Sequence, residues 1–224
     1  MKEGAVVVDT DCGIDDFAAL ALLSRSSVAV DSVLVGFGNV SVARGVAAAS
    51  LLFPTRVHAG CEQPLVSHGK ALAPWPGHGS DGLGEQFQAV STLLGSASML
   101  EPAPLEHAAA RLVSVCRSSA PRSLALLLLG PCTNVAVALA LDSASLDRAV
   151  ARVVIMGGAL HGKGNSSRAA EFNFRADPEA ANNVLKAFGS RVELVPWETT
   201  VAAPLPLSWT RFRTFGFFCK ILRL

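Results

Sequence analysis

No Cys-x-x-Cys pair occurs among the five cysteines of this 224-residue chain, so the usual spacing of a structural zinc site or a dithiol redox centre is missing. Scattered at Cys12, Cys61, Cys116, Cys132 and Cys219, they fit buried or free thiols in a reducing compartment better than a disulfide framework. Charge of one sign is lacking too: the formal net charge is +1, which gives no footing for a nucleic-acid partner. Only 17% of residues are charged while 50% are apolar, a balance that excludes a disordered chain. The most apolar run, Leu124 to Leu129, is far too short to span a bilayer. Met1-Lys2-Glu3-Gly4 leads straight into apolar residues, so no signal peptide is expected and the predicted setting is cytoplasmic, without a membrane partner. Internal repeats and domain linkers are absent.

What is present is an alternation of strand-like and helix-like segments, the pattern of βαβ units on a parallel sheet. Strands are predicted at Ala5–Val8, Val30–Phe37, Val57–Ala59, Leu124–Leu129, Val153–Met156 and Val192–Pro196. Helices are predicted at Phe17–Leu23, Val42–Leu52, Ala103–Cys116, Asn134–Leu141 and Pro178–Phe188. The expected fold is α/β: an open, mostly parallel, doubly wound sheet with helices on both faces. It forms one domain over residues 1–209, followed by a divergent basic and aromatic tail over 210–224. A Pro/Gly/His-rich loop from Pro74 to Gly84 is the candidate lid.

The first strand runs into Asp9-Thr10-Asp11-Cys12-Gly13-Ile14-Asp15-Asp16, four carboxylates in eight residues. They fall at the carboxyl end of a strand, where open α/β sheets place ligands. One or two acids there would be ordinary helix capping. Four repel one another unless a positive charge neutralises them, and a hard divalent cation, Ca²⁺ or Mg²⁺, is the economical answer.

Four further blocks stand at later strand ends: Gly38-Asn39-Val40; Gly77-His78-Gly79-Ser80-Asp81-Gly82-Leu83-Gly84; Leu129-Gly130-Pro131-Cys132-Thr133-Asn134-Val135-Ala136; and Ile155-Met156-Gly157-Gly158-Ala159 with Asn165, Glu171-Phe172-Asn173 and Ala176-Asp177-Pro178-Glu179. Taken singly, Asn39 reads as a helix cap, His78 as an exposed loop histidine, Thr133 as a cap, and Asp177-Pro178-Glu179 as an ordinary helix start. Asn165, Glu171 and Asn173 need another account. Three polar groups in a Gly-rich loop beside a buried strand offer the donor and acceptor edges that sugar hydroxyls require.

In this order the blocks resemble the inosine-uridine preferring nucleoside hydrolases over roughly Val6 to Thr200, with the loop from Met156 to Asn165 one residue longer than the usual pattern. The resemblance implies hydrolysis of the N-glycosidic bond of ribonucleosides and a Ca²⁺ cofactor. Asp11, Asp16 and the main-chain oxygen of Leu129 would hold the metal, with Asp11 also the general base. Asp15, Asn39, Asn165, Glu171 and Asn173 would grip the ribose, with Met156 packed near it, His78 beside the leaving base and Asp9 orienting the ligand carboxylates. The partner would be a small-molecule ribonucleoside, and a homo-oligomer stays open.

Family members continue to a C-terminal His-Asp pair, whereas here no His follows His161 and no Asp follows Asp177. The resemblance therefore also carries a second expectation, a C-terminally truncated relative that keeps the fold and part of the site with weak or absent turnover. A phosphatase using the Asp-rich turn fits the first block alone.

Overall fold

In the computed structural model, described over residues 4–67, 76–95 and 106–202, β-branched and leucine-rich runs form a single six-stranded sheet. The strands are β1 (Ala5–Thr10), β2 (Val30–Val35), β3 (Val57–Ala59), β4 (Leu124–Leu128), β5 (Val150–Met156) and β6 (Val192–Val195), in the order β3-β2-β1-β4-β5-β6. Every pairing is parallel. Chain order reverses between β1 and β4. The carboxyl ends of those two strands therefore border the crevice in which a doubly wound sheet binds its ligand.

The period of two along a strand decides what covers each face. Val7, Leu34, Leu126, Leu128, Val153 and Ile155 point to one layer, where α4 (Ala108–Ser118), α5 (Thr133–Ala149) and α7 (Pro178–Phe188) supply Leu112, Val135 and Val184. Val8, Val33, Val35 and Leu127 point the other way, to α1 (Ile14–Ser24) and α2 (Val42–Ser50) through Leu20, Val42 and Val46. Outside these layers, α3 (Phe87–Leu93) adds Val90 to a smaller cluster with Phe17, Ala48 and Leu83. Two short helices, α6 (Phe172–Ala176) and α8 (Trp197–Ala202), complete the described secondary structure together with two 3₁₀ turns. No described helix is long and apolar enough to cross a membrane.

Some boundaries differ from the sequence reading, each for a local reason. β1 reaches Thr10, because Asp9 and Thr10 still pair with Leu34 and Val35; two residues of the acid turn are thus strand residues. The helix predicted to end at Leu141 resumes after a break at Asp142 (φ −160°, ψ 74°). There the Asp142 carboxylate accepts from the Ser145 N–H at 3.1 Å and starts a second helical segment. Asp177 caps α7 as expected, accepting from the Ala180 N–H at 3.0 Å with Pro178 next. The helix start predicted at Ala103 and the 210–224 tail lie outside the described residues.

Leu126 lies on the central strand β4 and is 1% exposed. Leu126→Ala is expected to lower unfolding free energy by about 2–5 kcal/mol, the cost of a buried leucine plus its cavity. Urea denaturation checks it; a loss below about 1 kcal/mol would mean that this layer is loosely packed.

Candidate active site

The carboxyl end of β1 carries the acid cluster, and glycines shape the space around it. Asp11 is 1% exposed, and its Oδ2 accepts from the Asn39 N–H at 2.9 Å. A methyl group on Gly38, after β2, would collide with that Oδ2, and one on Gly130, after β4, would stand 2.8 Å from the Asp11 nitrogen. Both walls of the switch point thus need glycine for Asp11 to fit. Asp16, in the first turn of α1, accepts from the Thr10 hydroxyl at 2.6 Å and from the Gly13 N–H at 3.1 Å. Between them the backbone turns through Cys12 at φ +53°, a left-handed conformation that costs a non-glycine residue free energy. The thiol of Cys12 donates to the Gly45 carbonyl at 3.2 Å.

Electrostatically the cluster is uncompensated. Burial pushes the Asp9 carboxyl up to about 7, against the lowering effect of its Asn134 hydrogen bond. Burial and then Asp15 raise Asp16 to about 7, and burial and then Asp16 hold Asp11 well above the usual carboxylate range. Asp9 Oδ2 and Asp11 Oδ1 are buried without any hydrogen-bond partner. Two orphaned carboxylate oxygens in an all-oxygen setting fit a hard divalent cation. Among the described residues no three His, Cys, Asp or Glu side chains converge as a complete cage. A cation here would rest on Asp11, Asp16 and main-chain oxygen.

The remaining residues singled out by sequence fall into two groups. Asp15, Asn39 and His78 meet around Gly13. A methyl group there would lie 2.8 Å from Asp15 Oδ1, 2.9 Å from Asn39 Nδ2 and 2.9 Å from His78 Cε1. Nδ1 of His78 accepts from the Ile14 N–H at 3.1 Å and stands 4.0 Å from Asp15; burial lowers the imidazole pKa, while Asp15 works to raise it.

The second group sits at the ends of β4 and β5. The Asn173 amide donates to the Leu129 carbonyl at 2.7 Å and to the Met156 carbonyl at 3.1 Å. Glu171 is 2% exposed and caps α6, accepting from the N–H groups of Asn173, Phe174 and Gly158. Asn165 stands further out, its Oδ1 accepting from the Phe172 N–H at 2.8 Å. Leu129-Gly130 joins the groups, touching Asn173 on one side and Asp11 on the other.

Thr133 does not cap α5. That position falls to Cys132 without a side-chain bond, and the Thr133 hydroxyl donates to Asp177 Oδ2 at 2.7 Å. Asn134, Thr10, Gly38, Gly130 and Asp81 shape the site without having been singled out for it. Glycines within three residues of the ends of β2 and β4 were the readable signal; the partners of Asn134 were not. Asp81 organises the described part of the candidate lid, residues 76–84. Its carboxylate accepts from the N–H groups of Leu83, Glu85 and Phe87 at 2.8–2.9 Å. Leu83 thereby packs on Phe17, and Gly82 (φ +77°) lies against the Cys12 carbonyl.

Comparison with known proteins points to one group. A family model described as inosine-uridine preferring nucleoside hydrolase matches residues 6–220. A probable uridine nucleosidase 2 of Oryza sativa subsp. japonica is 33% identical over 189 residues, 81% of this chain and 53% of that protein. An inosine-uridine preferring nucleoside hydrolase of Crithidia fasciculata is 31% identical, over 80% of this chain and 56% of its own length. A solved inosine-guanosine nucleoside hydrolase superposes with a TM-score of 0.77 at 34% identity, covering 92% of this chain and 63% of that one. The chain thus spans just over half the length of these curated relatives.

The lid segment generates a pH prediction. Burial would raise the Asp81 carboxyl, but the N–H groups of Phe87, Leu83 and Glu85 outweigh it and hold the pKa below the ordinary carboxylate value. A depressed folded-state pKa stabilises above the unfolded value, and that stability is lost as pH falls through the folded one. Asp81→Asn is expected to cost about 2 kcal/mol at pH 7, and its difference from the unmutated chain to shrink below about pH 4. Urea unfolding across pH checks this; a gap independent of pH would contradict it.

Proposed function

Because the chain belongs to the inosine-uridine preferring nucleoside hydrolase family, we propose that it hydrolyses the N-glycosidic bond of ribonucleosides to ribose and free base, with Ca²⁺ as cofactor. The observation that carries this reading is the buried acid cluster at the switch point, whose orphaned oxygens on Asp9 and Asp11 call for a cation. When bound, the ion supplies Lewis-acid activation of water. Asp11, Asp16 and the Leu129 carbonyl are the residues that would hold it, with Asp9 orienting them from behind.

The chain's own groups divide the remaining work. Cleaving an N-riboside develops positive charge on the sugar ring, which the anionic floor favours. The proton of the attacking water goes to a carboxylate oxygen of Asp11. Asp15 and Asn39 around Gly13, and Glu171, Asn173 and Asn165 at the end of β5, supply acceptors and donors for ribose hydroxyls. Met156 packs beside the sugar, and His78 faces the leaving base. Both carboxylate oxygens of Glu171 already accept backbone N–H groups, which fixes the carboxylate before a substrate arrives. The setting proposed is the cytoplasm, in keeping with the free thiols of Cys12, Cys61, Cys116 and Cys132.

One observation favours a second reading, a relative that binds without turnover: among the described residues, fewer than three acidic, His or Cys side chains converge on any one ion position. Incubation with inosine or uridine and Ca²⁺, read as free ribose, separates the two. The hydrolase reading predicts ribose release that Asp11→Asn lowers by about 10²–10⁴-fold. Nucleoside binding with no ribose released would replace it with the second reading.

A further inference from the structure

Asn134 is a polar side chain that the proposed reaction does not use, yet its setting is built for it. It lies in the first turn of α5 and is 0% exposed. Its Nδ2 donates to Asp9 Oδ1 at 2.9 Å, and its Oδ1 accepts from the Cys61 N–H at 2.8 Å. A methyl group on Gly60 would collide with that Oδ1, and one on Gly36 would stand 3.2 Å from its Nδ2. Two strand-end glycines, after β2 and β3, therefore make room for this one amide. Beside it, Thr133 donates to Asp177 Oδ2, the oxygen that also accepts from the Leu65 N–H at 2.8 Å. The segment 61–67 is thus anchored at the start of α5 at two points, directly on Asn134 and through Asp177 on Thr133.

Asp9 has its other oxygen orphaned in the acid cluster. With its α-carbon fixed in β1, the Asp9 carboxylate can still turn about two side-chain bonds, and the Asn134 amide restrains both by holding Oδ1. The hydrogen bonds run in one line from the floor of the cluster to the wall formed by the chain after β3. We propose that Asn134 is a positioning residue. One end of its amide aims the Asp9 carboxylate into the acid cluster, and the other holds the Cys61 segment, so that floor and wall are set together. This rests on the hydrolase reading for its effect on rate, but the coupling of Asp9 to Cys61 stands on the geometry alone.

The test uses the full chain and three variants: Asn134→Leu, which keeps the volume and loses both bonds, Asp9→Ala, and Asp9→Asn, which keeps an acceptor for Nδ2. Hydrogen exchange is followed on the peptide containing the Cys61 amide, and ribose release from uridine is followed with Ca²⁺. Asn134→Leu is expected to speed Cys61 exchange at least tenfold. Asp9→Ala, which removes no partner of Cys61, is expected to speed it severalfold, and Asp9→Asn to leave it within about twofold. In ribose release, Asn134→Leu is expected to lower kcat by about 10–100-fold, as loss of a group orienting a ligand typically does, with KM changed far less.

Unchanged Cys61 exchange in Asp9→Ala overturns the coupling, and a rise in KM at constant kcat overturns the positioning role. If Asn134→Leu does not fold, the two Asp9 variants decide by exchange. If the unmutated chain releases no ribose, the hydrolase reading fails, and the same exchange comparison sustains or overturns the coupling.

Discussion

Three carboxylates, Asp9, Asp11 and Asp16, are packed at 4% exposure or less at the end of one strand, and their burial is the constraint that organises the molecule. An ionised carboxylate taken out of water costs several kcal/mol unless paired, and the nearby donors do not cover the need. Thr10, Gly13, Asn39 and Asn134 satisfy some oxygens; one on Asp9 and one on Asp11 stay bare. No element could hold such a cluster by its own propensity. It is held because β1 is one of the two central strands of a sheet buried on both faces, with apolar layers above and below that fix its register.

The same constraint explains where side-chain volume is withheld. Gly38 and Gly130 flank Asp11, Gly36 and Gly60 flank Asn134, and Gly13 leaves the space that Asp15, Asn39 and His78 surround. These glycines follow strands whose own residues are large and apolar, so the sheet grips tightly and the loops approach closely. The arginine–carboxylate pairs among the described residues, by contrast, lie away from this centre. Arg152–Glu193 is exposed on both partners and Arg117–Asp142 on its arginine, and pairs of that kind contribute about 0–1 kcal/mol each. Stability comes from the two apolar layers, and the site draws on it.

Much of this was legible in the sequence because it is periodic or local. Short continuous apolar runs, alternating with helix-like segments, located all six strands, and β3 and α7 were delimited residue for residue. Asp177 as a cap followed from its Pro178 and Glu179 neighbours. The order of motifs carried the family, which the match over residues 6–220 shows. What did not emerge depends on contacts between distant segments. Asn134 reads as an unremarkable polar residue at a helix start until Asp9, 125 positions away, and Cys61, 73 positions away, are brought to it. The capping role of Glu171 was equally hidden: it accepts from the N–H groups of Asn173 and Phe174 in a helix of five residues, too short to announce itself by periodicity, and from that of Gly158, 13 positions away. The break at Asp142 illustrates the converse: the predicted helix stopped at Leu141 on local signals, and the chain resumed a helix beyond it that buries Leu146 and Ala149 in the core.

The claim on which the account rests is that the acid cluster is completed by a cation. It is tested most directly by thermal unfolding of the chain in excess Ca²⁺ and in chelator. A ligand at a hundred times its dissociation constant stabilises by about 2.7 kcal/mol, which for a chain of this size corresponds to a rise of roughly 5–10 °C. The account predicts such a rise in the unmutated chain and its disappearance in Asp16→Ala. An unfolding temperature indifferent to calcium in the unmutated chain, or a rise that survives Asp16→Ala, would contradict it.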